Sequence, residues 1–406
     1  MNVKERFLKY ISVDTTSDPS STTFPSTKSQ LDFAASLVKE MKEMGLIDVS
    51  CDENGYVFGT IPATIENYQG PVLGFISHMD TAPASSGANI CPRIIENYDG
   101  KEIVLNQEKN ILMSPAEFEN LKKYQGQDLI VTDGTTLLGG DDKAGLAEIL
   151  TAAEYFLTHP EIPHGTIRVG FTPDEEIGRG PDHVNLEEVG AAYGYTIDGG
   201  LIGEFSYENF NAASAVVTIH GVTAHTGYAK GILKNAIQIA MEYQALLPAY
   251  ETPACTENRE GFYHLDKIQG RTETTVMNYL IRDHDEALFR HRQQIMQEAV
   301  DFINKKYGAG TAEITITESY RNMYEQVKGH EKLISNVMTA MEHCGITPIV
   351  TPIRGGTDGA RLSYQGLPCP NICTGGQNGH GRHEFVSIQS MEAITEMLKE
   401  LVKLFA

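Results

Sequence analysis

Thr136-Leu137-Leu138-Gly139-Gly140-Asp141-Asp142-Lys143-Ala144-Gly145 sets two adjacent carboxylates in a glycine-flanked turn, between an apolar run and a helix-forming run that starts at Ala144. Neighbouring acids repel one another unless a cation sits among them, and a divalent metal is the usual remedy. Four other short segments carry groups that could meet this turn. They are Ser77-His-Met-Asp80, Asp174-Glu-Glu176, Ile197-Asp-Gly-Gly200 and Gly379-His-Gly-Arg-His-Glu384.

The segments leading into these motifs read as buried strands. Pro71–Ser77, Thr166–Thr172 and Tyr193–Asp198 are apolar runs with few charges, the pattern of strands covered on both faces. In α/β sheets, ligands bind at the carboxyl ends of such strands. His78 with Asp80, Glu175 with Glu176, and Asp198 all fall there. A single strand-end His beside an acid is ordinary. Three such ends plus a diacid turn are hard to attribute to solvation. His78 and Asp80, two apart, can act together, the imidazole on a metal and the carboxylate on its other N–H.

Further along, residues 84–127 form a polar excursion between two sheet elements, a length usually reserved for a functional site. From about 209 the pattern changes. Strands at 213–220, 261–268, 274–281 and 312–319, with helices at 235–247 and 285–307, give the order β-α-β-β-α-β of a ferredoxin-like unit. The expected organisation is one discontinuous domain, 1–208 and 321–406, interrupted by an α+β domain at 209–320. Arg354-Gly-Gly-Thr-Asp-Gly359 then opens a helix, and Met391–Leu404 closes the chain as an amphipathic helix.

At 406 residues the chain is long enough for more than one core. A net charge of −22 argues against nucleic-acid or anionic-membrane partners, which need basic surface. Six scattered cysteines without a C-x-x-C pair predict free, buried thiols rather than a disulfide scaffold. No run reaches the roughly 18 apolar residues of a membrane span and the start lacks a signal-peptide core, so the expected location is cytoplasmic.

Histidines and carboxylates without cysteine suit Zn²⁺, Mn²⁺ or Co²⁺ rather than a structural thiolate site. Five ligands can serve two ions if one carboxylate bridges, and Asp141, on the most constrained turn, is the expected bridge. One glutamate of the Glu175–Glu176 pair can then stay free to move a proton. The chemistry implied is amide hydrolysis.

Ser77-His-Met-Asp80, Gly140-Asp-Asp-Lys-Ala-Gly145, Asp174-Glu-Glu-Ile-Gly178, Asp198-Gly-Gly200 and His380-Gly-Arg-His-Glu384 make the chain resemble the co-catalytic zinc aminoacylase/exopeptidase family, essentially end to end. The resemblance implies a zinc-exopeptidase-like α/β domain, its mostly parallel mixed sheet flanked by helices, with an inserted lid or dimerisation domain. It implies two Zn²⁺ per subunit, with Co²⁺ or Mn²⁺ as substitutes: one on His78, Asp141 and Asp198, the other on Asp141, Glu176 and His380. His380 rather than His383 follows from the family spacing to Glu384. Glu175 becomes the general base and acid, and Asp80 the partner of His78. His225, in Gly221-Val-Thr-Ala-His-Thr-Gly227, becomes the oxyanion stabiliser, and Arg282 and Arg354 the binders of a substrate carboxylate. A cis peptide at Asp141–Asp142 is expected, and Gly140 stands where the family often has alanine.

The excursion and Gly261-Phe-Tyr-His-Leu265 are typical of family members that remove the N-terminal residue of tripeptides. The implied partners are therefore small peptides with a free N-terminus, and a second copy of the chain through the inserted domain. A dipeptidase, carboxypeptidase or N-acyl amino acid deacylase is the alternative within the family. A metal- or peptide-binding protein without catalysis is the alternative outside it.

Overall fold

A computed structural model describes all 406 residues, which divide into two compact units. The first comprises 1–207, 325–351 and 357–406, and the second 208–324 with 352–356.

An eight-stranded mixed sheet runs through the first unit in the order 47–51, 57–61, 167–172, 73–78, 193–197, 371–372, 204–206 and 349–350. Its middle strands are parallel, with His78 opposite Thr172 and Ile76 opposite Thr196. That register brings three carboxyl ends level, so His78, the Asp174–Glu176 turn and Asp198 emerge along one edge. Every residue of Leu73–His78 is buried, as expected of a strand covered on both faces. The segment Gly140–Thr158, non-helical at Asp141 and Asp142 and helical beyond them, packs against this sheet through Ala144, Ala147 and Leu150, and the closing helix Ile388–Leu404 joins the same core. Gly145 makes the close approach possible: a Cβ there would lie 2.1 Å from the Ile197 carbonyl oxygen. No helix is long and apolar enough to cross a membrane.

The 84–127 excursion is a small folded layer rather than a loop. Arg93–Ile95 joins an antiparallel four-stranded sheet with 129–131, 385–387 and 376–377, and 103–106 pairs with 111–113. Tyr98, Leu105, Met113, Leu121 and Tyr124 give it a core of its own, closed by Phe385. Sequence reading missed the strands 93–95, 103–106 and 111–113 because each is only three or four residues long and is sheltered by the rest of the layer.

The second unit is one antiparallel sheet in the order 262–270, 274–283, 211–220 and 312–320, with helices 236–246 and 286–307. This is the ferredoxin-like arrangement. Alternate residues of 211–220, among them Ala213, Ala215, Val217 and Ile219, pack with Ile239, Tyr243, Met296 and Val300. The unit extends beyond the expected 209–320, and it also captures 352–356. Ile353 bridges to Asn209, and Arg354 is bonded to the 256–260 loop.

All six cysteines are unpaired, but Cys51, Cys91 and Cys255 are exposed rather than buried.

Candidate metal centre

Asp141 is the hinge of the site. Its Oδ1 lies 3.1 Å from His78 Nε2 and its Oδ2 lies 3.1 Å from His380 Nε2. His380 Nε2 is also 2.9 Å from Glu176 Oε2. Two sets of ligand atoms result, His78/Asp141/Asp198 and Asp141/Glu176/His380, the atoms of each set lying within 4.8 Å of one another. Asp141 belongs to both and offers a different oxygen to each. His383 is not part of either set; its ring packs against Phe118.

The two acids of the diacid turn part ways. The peptide bond between them is cis, and Asp142 turns to the strand end, where it accepts Ser77 Oγ–H and the His78 N–H. Asp142 thus seats the strand carrying His78 on the turn carrying Asp141. No separate signal marked it, because the sequence shows only that two acids are adjacent.

Two further carboxylates hold the ligands by their backbones. Asp80 accepts the N–H of Glu175 at 3.0 Å and of Glu176 at 3.1 Å, and its Oδ1 is 3.3 Å from His78 Nδ1. Asp80 therefore fixes the orientation of His78, through Oδ1 and through its backbone carbonyl oxygen 3.1 Å from Nδ1, and the position of the Glu175–Glu176 turn. Glu384 Oε2 accepts the N–H groups of Leu138 and Gly139, and its Oε1 that of Asp141. The sequence offered Glu384 only as a spacing mark. Asp174, in a left-handed conformation, is tied to Ser26 and Gln30 by hydrogen bonds of 2.5 to 3.0 Å. A Cβ at Gly140 would meet Val386 Cγ2 at 2.6 Å and Glu384 Oε1 at 3.1 Å, so alanine there requires the Val386 side chain to shift.

The electrostatics fit a cation. Burial, reinforced by Asp141, raises Asp198 to about 7, and burial raises Glu175 well above the usual carboxylate range. His380, facing Asp141 and Glu176, is raised to about 11. Burial would lower His78, but Asp141 and Asp80 outweigh it and raise the imidazole instead. Glu176 Oε1 is buried and accepts no hydrogen bond from the protein, which leaves it open to a group from outside the chain. Carboxylate and imidazole donors arranged in this way fit divalent zinc-like ions. Beside them opens a cavity of about 440 Å³, lined in part by Asp141 and Asp198.

The remaining expected residues lie in the second unit. His225 is exposed, and its Nδ1 accepts the Gly227 N–H at 3.2 Å, which leaves the proton on Nε2. Arg282 Nη1 donates to the carbonyls of Ala213 and Ile281, its guanidinium lies 5.5 Å from the Tyr320 ring, and no carboxylate pairs with it. Arg354 is bonded within its own unit. Nη1 donates to the carbonyls of Asn258 and Glu260, Nη2 reaches Thr256, and the guanidinium stacks 5.0 Å from Phe210. Nη1 and Nη2 thus clamp the 256–260 loop, while Nε–H has no partner within the chain.

Two adjoining three-ligand sets at the carboxyl edge of a mixed α/β sheet make a candidate site for two metal ions. The chain belongs to peptidase family M20/M25/M40, which it matches over residues 132–404. It is 51% identical over 406 residues to a peptidase T of Alkaliphilus oremlandii (100% of this chain, 99% of that protein). It is 52% identical over 403 residues to a peptidase T of Caldanaerobacter subterraneus subsp. tengcongensis (99% and 98%). The fold is that of a solved aminopeptidase PepT from Bacillus cereus ATCC 10987, with a TM-score of 0.79 at 24% identity, covering 100% of this chain and 98% of that one.

Proposed function

We propose that the protein is a two-zinc aminopeptidase of the cytoplasm that removes the N-terminal residue of tripeptides. The observation that carries this reading is Asp141, which presents one oxygen to the His78 side and the other to the His380 side. His78, Asp141 and Asp198 would hold one ion, and Asp141, Glu176 and His380 the other. Divalent cations bound there supply the charge that polarises a peptide carbonyl and acidifies solvent.

The chain's own groups do the rest. Glu175 takes the proton of the attacking water and delivers it to the departing amine. Asp80 keeps Glu175 in place through its backbone amide and keeps His78 in the orientation that presents Nε2. His225, with its proton on Nε2, is assigned the hydrogen bond to the developing oxyanion. Arg282 is assigned the substrate carboxylate, and Arg354 is not. A homodimer through the second unit completes the reading, supported by Ile237 and Met241, which helix 236–246 leaves exposed.

Purified protein should hydrolyse Ala-Ala-Ala and lose that activity to a chelator, with recovery on zinc addition. Dipeptides, N-acylated peptides and C-amidated peptides in the same assay separate an aminopeptidase from the other activities of this family. Undiminished turnover after metal removal sinks the reading.

A further inference from the structure

An enzyme that requires a free N-terminus has to recognise an ammonium group, and beside two dications that group is repelled unless an anion receives it. The cavity next to the metal centre has four carboxylates in its lining: Asp141, Asp198, Glu204 and Glu384. Asp141 and Asp198 belong to the ligand sets. Glu384 is saturated by three backbone N–H groups. Glu204 is the carboxylate left over.

Its setting suits the task. Glu204 stands six positions beyond Asp198, at the start of the strand 204–206, and is half-buried. Oε2 accepts the Leu201 N–H at 3.0 Å, which holds the side chain in place, while Oε1 accepts no hydrogen bond from the protein. The loop between Asp198 and Glu204 is itself pinned, since Gly199 and Gly200 carbonyls accept the N–H groups of Thr374 and Gly375. Across the cavity, Asn120 of the 84–127 layer donates to Gln377 Oε1 and Asn378 Oδ1 and closes that wall. The excursion thus shapes the same pocket. Lys123 lines the cavity too and its charge acts on Glu204, but it is exposed and makes no contact of ion-pair length with it. A space of about 440 Å³ accommodates the side chain of one amino-acid residue with room to spare.

We infer that Glu204 is the anchor for the substrate's α-ammonium group, in a subsite formed jointly by the 198–204 loop, the 374–379 loop and Asn120. This rests on the aminopeptidase reading and adds to it the residue that enforces the free amine.

The test compares Ala-Ala-Ala with propionyl-Ala-Ala, which has the same backbone length and lacks only the ammonium group. Glu204→Gln preserves shape and can still accept from Leu201 N–H through its amide oxygen. It should lower kcat/KM for Ala-Ala-Ala by about 100-fold, as for loss of one partner of a desolvated charge pair. Turnover of propionyl-Ala-Ala, metal content and melting temperature should stay as in the wild type. Glu204→Asp, with its charge kept and reach shortened, should show an intermediate preference, which covers the case that the amide disturbs the loop. Lys123→Met should retain the full preference. Wild-type preference for the free amine that persists in both Glu204 variants overturns the subsite alone. A wild type that favours propionyl-Ala-Ala overturns the aminopeptidase reading itself.

Discussion

Glu384 accepts the Asp141 N–H at 3.0 Å while the same carboxylate holds the N–H groups of Leu138 and Gly139 at 2.7 and 2.8 Å. Because Glu384 follows His380 by four residues, this side chain ties the two ligands of one set into a single unit. Glu384→Ala strands three N–H groups at roughly 1–3 kcal/mol each where they stay buried. The variant should retain fewer metal ions per chain by elemental analysis after dialysis, and its activity should fall by at least about 10-fold. Full metal content with full activity would show that the clamp is dispensable.

Glu175→Gln should reduce kcat by about 10²–10⁴ through loss of proton transfer. Since Glu175 is not in either ligand set, metal stoichiometry and substrate affinity should be those of the wild type, as elemental analysis and calorimetry with a tripeptide can establish. Coincident loss of metal would move Glu175 into the ligand set.

Asp80→Asn removes the anion that faces His78 Nδ1 and disturbs the two amides of Glu175 and Glu176. A loss of about 10- to 100-fold in metal affinity or activity is expected, as for other carboxylates behind a ligating histidine. Titration with zinc against a competing chelator reads it directly.

The two arginines should separate. Arg354→Ala breaks charged hydrogen bonds to carbonyls of the 256–260 loop, each worth roughly 1.5–3 kcal/mol, and should lower stability towards denaturant while leaving KM nearly unchanged. Arg282→Ala also loses bonds to the Ala213 and Ile281 carbonyls, but should in addition raise KM for peptides ending in a free carboxylate. Equal KM effects from both would contradict the assignment of Arg354 as a clamp.

Far from the site, Glu40 meets Arg6 Nε at 3.0 Å and Lys9 Nζ at 2.7 Å. Burial alone would raise this carboxyl, yet Lys9 and Arg6 lower it below its ordinary value of 4.5. A depressed carboxyl contributes stability that is present above 4.5 and is lost as pH falls through the folded-state value. Glu40→Gln should therefore cost more at pH 7 than under acid. Urea unfolding at pH 7 and below pH 4 should show the gap between wild type and variant narrowing on acidification, and a constant gap would assign the cost to packing alone.

Much of this molecule was legible one residue at a time. Buried strands announce themselves by uncharged apolar runs, so Leu73–His78, Ile167–Thr172 and Tyr193–Ile197 could be placed, and with them the acids and histidine that follow. The ferredoxin-like order of the second unit was readable because its strands run to nine or ten residues and its helices to 11 and 22. Other features depend on contacts between residues distant in the chain. The 84–127 layer is made of strands too short to show a period. Arg354 looks the same in sequence whether it binds a substrate or three carbonyls. Glu384 and Asp80 gain their roles from N–H groups that only the folded turn aims at them. Local pattern is set by the repeat of a helix or strand and therefore resides in the sequence. Which backbone donors and which cavity a given carboxylate faces is set by close packing across hundreds of residues, and that was decided by the tertiary structure alone.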